Sequence, residues 1–411
     1  MRQQLLLADL CSLIVDCKNR TPPRAQEGEK AAGYAIGTPH VADGRINLTN
    51  AYQVNREVFE TWTARATPQP EDIVLTREAP VGRVGAVEEG MKVCLGQRTM
   101  LLRPNTDRVF PRFLQYLLLG SDVQRTLHSR ASGSTVAHLR VDQVRNLPIP
   151  MVPSLREQRS IAEVLGALDD KVAANERQLN TLNEYCSAWH ERSIIHAIAG
   201  TPHTLAELVK RGYVTLGDGY RTKQAEHGEP GLPILRVSDV GRGAIIPSFT
   251  HFVSNSYRSA MGPKVSQRGD VILTTKGTVG RVAIIEAGQP EFVYSPQVCY
   301  FRLTNNSPVS PLYLLHWFQG KEFWRQAGRL KGQTDMADYL SLRDIRSLKI
   351  TVPSPTDLAE FNRVCNPMQE QSEVLRRENR TLTTLRDTLL PELLTGKIRV
   401  KDAERIMEDA T

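Results

Sequence analysis

IAEVLGALDDKVAANERQLNTLNEYCSAW, residues 161–189, decides how the rest of the chain is read. Ile161, Leu165, Leu168, Val172, Asn175, Leu179, Leu182, Cys186 and Trp189 follow one another at alternating steps of four and three, and all but Asn175 are apolar. A period of about 3.5 residues gives a stripe too narrow for an ordinary core, so it demands a partner helix along its length. The same spacing returns at Val364, Met368, Gln371, Leu375, Glu378, Leu382, Leu385 and Leu389. Two long helices of one chain are therefore expected to pair, with Asn175 and Glu378 as polar interruptions of the seam.

What precedes each helix is also duplicated. EDIVLTREAPVGRVGAV at 71–87 returns as GDVILTTKGTVGRVAII at 269–285, and LLADL at 6–10 as TLAEL at 204–208. Gln97 meets Gln297, and Pro111, Phe113 and Leu114 meet Pro311, Tyr313 and Leu314. The fold expected is α/β (α+β), with two pseudo-symmetric domains separated by two long antiparallel coiled-coil helices. Its parts are residues 1–153, a first helix at 154–200, residues 201–353, a second helix with its tail at 354–400, and a flexible end at 401–411. Antiparallel pairing follows because the second domain lies between the helices in sequence and must sit equivalently to the first. The first stripe, at about 1.5 Å per residue, spans on the order of 40 Å, against about 35 Å for a turn of duplex DNA.

Local signals fill in the domains. Leu7, Leu10 and Ile14 suit one face of a short helix, and Asp43-Gly44 marks a turn. Ile73–Thr76 reads as a strand entering a basic turn at Arg77, and KVCLGQRTMLLRP as strand, turn and strand around Gly96. PRFLQYLLLGSDVQRTLHSRA reads as one amphipathic helix beginning at Pro111. Ser154 with Glu157 suits a capping box. Pro367 should kink the second helix or mark its start, and Pro391 should break it before a strand-like tail.

Composition narrows the function. A chain of 411 residues suggests two folding units, and 40% hydrophobic residues suit a folded protein. The net charge of +7 favours an acidic partner, with nucleic acid foremost. The opening MRQQLLLADLCSLIVDCKNR has apolar pieces broken by Asp9 and Asp16, so neither a signal peptide nor a membrane span is expected. Cys11, Cys17, Cys94, Cys186, Cys299 and Cys365 are scattered, which reads as isolated thiols in a reducing cytoplasm with no metal site. No strand–GxGxxG–helix, Walker loop or Asp/Asn-Pro-Pro-aromatic methyltransferase motif is present, and no convincing nuclease carboxylate set, so no catalytic residue is expected.

The pattern resembles the specificity subunit of type I restriction-modification systems. Four stretches carry the likeness: the D-x-x-L-T…V-G-R signature at 71–83 and 269–281, VRNLPIPMVPSLREQRSIAEVLGALD at 144–169, and LLPELLTGKIRV at 389–400. Within 144–169 the pattern P-x-x-x-E-Q-x-x-I then L-x-x-L-D reads Pro153, Glu157, Gln158, Ile161, Leu165, Leu168 and Asp169. The second copy departs, with Asp357, Leu358 and Phe361 in place of Glu157, Gln158 and Ile161. The resemblance implies target recognition domains that each read half of a split double-stranded DNA sequence. It also implies spacer helices that dock two modification (methyltransferase) subunits making N6-methyladenine, and two restriction (translocase/endonuclease) subunits. S-adenosylmethionine, ATP and Mg would then belong to those partners, and this chain would carry no cofactor.

Candidate DNA contacts are loop residues able to neutralise phosphates or reach base edges. In the first domain they are Lys18, Arg20, Arg77, Arg83, Gln97 and Arg98, and in the second Arg221, Lys223, Lys276, Arg281 and Gln297. Ser134, Thr135, Gln333 and Thr334, in matching glycine turns, are candidates for backbone hydrogen bonds. A residue shared by both domains should be structural or a phosphate contact, and for Arg83 and Arg281 an ion pair with Asp72 and Asp270 is open. Base readers proper should lie where the copies differ, as at Thr38 and His40 against Ser238. Helix pairing is assigned to Ile161, Leu165, Leu168, Val172, Leu179, Leu182, Leu375, Leu382, Leu385 and Leu389. Partner docking is assigned to exposed helix flanks at Arg156, Gln158, Arg177, Glu184, Arg376, Arg380 and Arg386.

Overall fold

Strands Ile73–Arg77 and Val271–Thr274 lie at the middle of their respective domains, and both are almost continuously apolar. A run without polar alternation is the mark of a strand buried on both faces. The computed structural model, which describes residues 4–18, 20–132, 137–196, 202–241, 243–330, 332–333 and 338–410, shows that arrangement. Ile73 and Leu75 enter one core of the first domain while Val74 enters another. Val271 and Leu273 likewise separate from Ile272.

The chain divides into two compact units, Met1–Ala173 with Asn379–Thr411, and Ala174–Glu378. In the first, a six-stranded sheet runs in the order Cys11–Asp16, Thr99–Pro104, Ile73–Arg77, Val81–Ala86, Gly44–Ile46, Val41–Ala42. A smaller sheet joins Tyr52–Val54, Gly33–Ile36 and Val93–Leu95, the last two parallel. In the second, the sheet order is Val214–Asp218, Val298–Leu303, Val271–Thr274, Val282–Ile284. Its smaller sheet joins Phe252–Ser254, Gly231–Leu235 and Val293–Tyr294, again with one parallel pair. The order of the four strands from Cys11–Asp16 to Val81–Ala86, and that of the smaller sheet, are thus repeated in the second unit.

The long helices span Leu155–His196 and Pro355–Leu394. Ser154 and Ser354 accept from the backbone N–H of Glu157 at 3.4 Å and Asp357 at 3.1 Å, satisfying donors that a helix start leaves open. In the first unit Ile161, Leu165, Leu168 and Val172 share one apolar core with Leu382, Leu385, Leu389 and Leu393. In the second unit Asn175 Nδ2 donates to Glu378 Oε2 at 2.9 Å, and Cys186 Sγ to Met368 Sδ at 3.7 Å. Moving up one helix thus means moving down the other: the pairing is antiparallel. Leu375 is buried, while Leu179 and Leu182 are half-buried.

Several expectations need correction. The second helix passes through Pro367 and Pro391 without ending. Pro367 is solvent-exposed, where the carbonyl that a proline leaves unpaired can be hydrated. Where a flexible end is expected, Val400–Ala410 is a helix with Ala403 fully buried and Val400 and Met407 against the first core. Their spacing of three and four supplies the anchoring face. PRFLQYLLLG…HSR is two helices, Pro111–Leu119 and Ser121–Arg130, divided at Gly120 by an extended ψ of 140°. Only Leu7–Leu10 is helical, and Ile14 belongs to the following strand. Arg77 ends its strand rather than occupying a turn, and the strands flanking Gly96 pair with different neighbours instead of each other.

Candidate nucleic-acid interface

The repeated T…V-G-R signature builds the same loop twice. Thr76 Oγ1 donates to the Pro80 carbonyl at 2.6 Å and accepts from Arg83 N at 2.9 Å. Thr274 Oγ1 donates to the Thr278 carbonyl at 2.5 Å and accepts from Arg281 N at 2.9 Å. The glycine between must take a left-handed conformation, with φ +90° at Gly82 and +95° at Gly280. The arginines then anchor to a neighbouring short helix: Arg83 Nη1 donates to Thr38 O at 3.1 Å, and Arg281 Nη1 to Val237 O at 3.3 Å. Both arginine residues remain exposed. Thr38 and Ser238, named as differing positions, sit on these matching turns at Thr38–His40 and Val237–Asp239.

The ion pair considered for Arg83 and Arg281 falls elsewhere. Asp72 binds Arg103 through two bonds at 2.8 and 2.7 Å, and Asp270 binds Arg302 at 2.8 and 2.6 Å. These carboxylates are buried, so bidentate pairing is what makes their charge tolerable. Arg103 and Arg302 hold equivalent places, each the penultimate residue of its sheet strand. Tyr294 adds a third side-chain bond to Asp270 at 2.6 Å, where the matching strand position of the first domain holds Leu95.

The remaining candidates gather at one end of each sheet. In the first domain Asp16 pairs with Met100 and Thr76 with Thr99, which brings Lys18, Arg20, Arg77, Gln97 and Arg98 close together. Two are engaged internally: Arg77 lies 3.2 Å from Asp16, and Arg98 3.2 Å from Glu78. Lys18 and Arg20 are exposed, with the Lys18 ammonium 4.8 Å over the Trp62 ring. In the second domain Asp218 pairs with Cys299 and Thr274 with Val298, gathering Arg221, Lys223, Lys276 and Gln297, all exposed. Arg221 approaches Asp218 at 3.9 Å. Ser134, Thr135 and Thr334 lie outside the described residues; Gln333 is described only as a strand residue opposite Asp338.

A larger cleft of about 530 Å³ in the first unit is lined by Arg45, Glu71, Glu88, Glu89, Arg112, Asp169 and others. Its excess of carboxylates makes it a poor host for a phosphate backbone. Asp169 instead closes the helix seam, accepting from Tyr116 Oη at 2.6 Å and Arg386 Nη1 at 2.8 Å. Burial, and then the Asp169 charge, push the Tyr116 phenol up.

Three docking assignments on the helices are overturned by packing. Gln158 is buried, its amide oxygen accepting from Phe110 N at 2.8 Å and its nitrogen donating to Pro153 O at 2.9 Å. Arg386 is held by Asp169, and Arg376 Nη1 donates to buried Glu286 at 2.5 Å. Arg156, Arg177, Glu184 and Arg380 are exposed.

The cysteines are not all isolated. Cys186 and Cys365 form a pair, in which a hydrogen bond from Cys365, and then one from His316, lower the Cys186 thiol. The bond to Cys186, with burial, pushes Cys365 up. Among the described residues no three His, Cys, Asp or Glu side chains are grouped to hold a metal ion.

The chain is thus a duplicated α/β domain with basic loops at one sheet end, each copy followed by a long paired helix. Residues 7–184 match the family described as type I restriction modification DNA specificity domain. The type I restriction enzyme MjaVIII specificity subunit of Methanocaldococcus jannaschii is 23% identical over 67% of this chain and 68% of its own. The putative MjaX specificity subunit of that organism is 22% identical over 92% and 90%. A crystal structure of a type I S subunit from M. genitalium superposes with a TM-score of 0.52 at 18% identity, covering 95% of this chain and 96% of the other. Along most of its length the chain is thus similar to type I restriction-modification specificity subunits.

Proposed function

We propose that this chain reads a bipartite double-stranded DNA target, one half-site per domain, and directs partner subunits to it. The observation that carries the reading is the repeat of a basic loop cluster at the same sheet end of both domains. Arg83 and Arg281, anchored by backbone and exposed at their tips, suit phosphate contacts common to both halves. Specificity then falls to loop residues that differ. The paired helices, with exposed Arg156, Arg177, Glu184 and Arg380, offer the surface for two modification subunits and, beyond them, two restriction subunits. Adenine N6 methylation with S-adenosylmethionine, and ATP- and Mg-dependent restriction, are the work of those partners; this chain supplies no catalytic group. Among the described residues no helix is long and apolar enough to cross a membrane, and a cytoplasmic encounter with DNA suits the proposal.

Co-expression with the methyltransferase-like protein encoded beside its gene tests this. A split adenine-methylated motif that depends on this chain is the expected result. Unchanged methylation despite an assembled complex would overturn it. Removing residues 201–411 should abolish the split motif and leave at most a duplicated form of the first half-site.

A further inference from the structure

Within this reading, one feature distinguishes the first domain from the second at the basic sheet end. A pocket of about 170 Å³ opens beside Trp62, on the helix Arg56–Thr63. Its floor is apolar, formed by buried Cys17, Leu95 and Leu101. Its rim carries two exposed cations, Lys18 and Arg65, and one half-buried carboxylate, Asp16, which lies 3.2 Å from Arg77. The indole is fixed rather than free, since Nε1 donates to the Arg20 carbonyl at 3.3 Å and the Lys18 ammonium stacks on the ring. Arg65 Nη1 donates to Asp16 O at 3.4 Å, which ties the rim to the end of the sheet strand.

The second domain builds the corresponding segment differently, with a four-residue helix Arg258–Met261 in place of the eight-residue Arg56–Thr63. Lys264 follows its short helical segment, donates to Gly219 O at 2.8 Å and lies 3.6 Å from Asp218, the counterpart of Asp16. Met261, near the position of Trp62, is buried. Trp62 therefore belongs to a segment where the copies differ, at a sheet end where they otherwise agree.

An apolar floor and an indole wall between two cations match one groove geometry. The cations can hold phosphates, while the only apolar group that a base pair displays in the major groove is the thymine 5-methyl. We propose that this pocket is a base-reading site of the first domain, taking the methyl edge of a thymine in its half-site, with Trp62 as the specificity-determining residue. The inference rests on the DNA-reading function proposed above.

The test uses the full chain in its methyltransferase complex, with synthetic duplexes carrying the mapped motif. Each thymine is replaced in turn by uracil, which deletes only the methyl. One replacement, confined to one half-site, should weaken wild-type binding about four-fold, the loss for one buried methyl group. Trp62→Ala should bind the thymine and uracil duplexes equally, and Trp62→Phe should retain the discrimination. Wild-type indifference to every replacement, or the same four-fold loss in Trp62→Ala, would overturn the proposal. Binding of motif and random duplexes alike by the wild-type complex would instead remove the DNA-reading function itself. Thermal melting of Trp62→Phe and Trp62→Ala separates loss of reading from loss of fold, because an unfolded domain would lose both half-site binding and its transition.

Discussion

The two domains share a skeleton and differ in what they pack around it. Both build the Thr–Gly–Arg loop, both bury an aspartate on a strand-end arginine, and both set alternate residues of one strand into two cores. Their fillings diverge. The second domain stacks Tyr294 on Tyr300 at 5.3 Å and clusters Trp317, Phe318 and Phe323, whereas the first leaves the pocket beside Trp62. Features present twice are thus those that a fold must have, and features present once are free to serve recognition. The duplication acts as an internal control on every residue assignment.

The shared ion pair offers the strongest way to break that comparison. Asp72→Ala and Asp270→Ala each strand a partly buried guanidinium, at a cost of about 3–5 kcal/mol. Asp270→Ala should lie toward the upper end, because Tyr294 also loses its partner. Chemical denaturation read separately for the two units would show it, and equal losses would mean that the extra bond contributes nothing.

A second difference concerns acid. His190 is buried in the second unit, where burial and then the charge of His316 lower its pKa from 6.5 to about 3. The folded state holds it neutral while the unfolded chain takes a proton, so its contribution is intact above pH 6.5 and lost as pH falls toward 3. Between about pH 6.5 and 5 the second unit should lose about 2 kcal/mol. His190→Leu should remove that slope. An acid midpoint unchanged in His190→Leu would show that the histidine does not govern the loss.

The smallest effect sharpens the first. Tyr294→Phe removes one hydrogen bond to Asp270 and keeps the Arg302 pair, so about 1 kcal/mol is expected. A loss approaching that of Asp270→Ala would place the weight on the tyrosine rather than the arginine.

Much of this was readable without coordinates. The four-three spacing named the helix seam, and Leu382 and Leu389 are buried on it together with Ile161, Leu165 and Leu168. The repeat of Asp72, Thr76, Gly82 and Arg83 marked the loop that Thr76 closes. The surface was harder to read. Gln158, Arg376 and Arg386 look like solvated helix flanks, because a period says which face is apolar but not which polar residue meets a buried partner. Gln158 serves the Phe110 backbone and Arg376 serves Glu286, partners distant in sequence. The helix at Val400–Ala410 was missed for a related reason, since its narrow apolar face acquires meaning only when the first core is there to receive it.

By itself, then, the sequence determined the duplication, the antiparallel seam and the family resemblance, because each rests on periodicity or on residues repeated along one dimension. Tertiary structure alone decided which charges are spent. Asp72 chose Arg103 over Arg83, and Asp169 claimed Arg386. The physical reason is that a buried charge takes the partner whose geometry allows two short bonds, and nearness in three dimensions is not ordered by nearness in sequence.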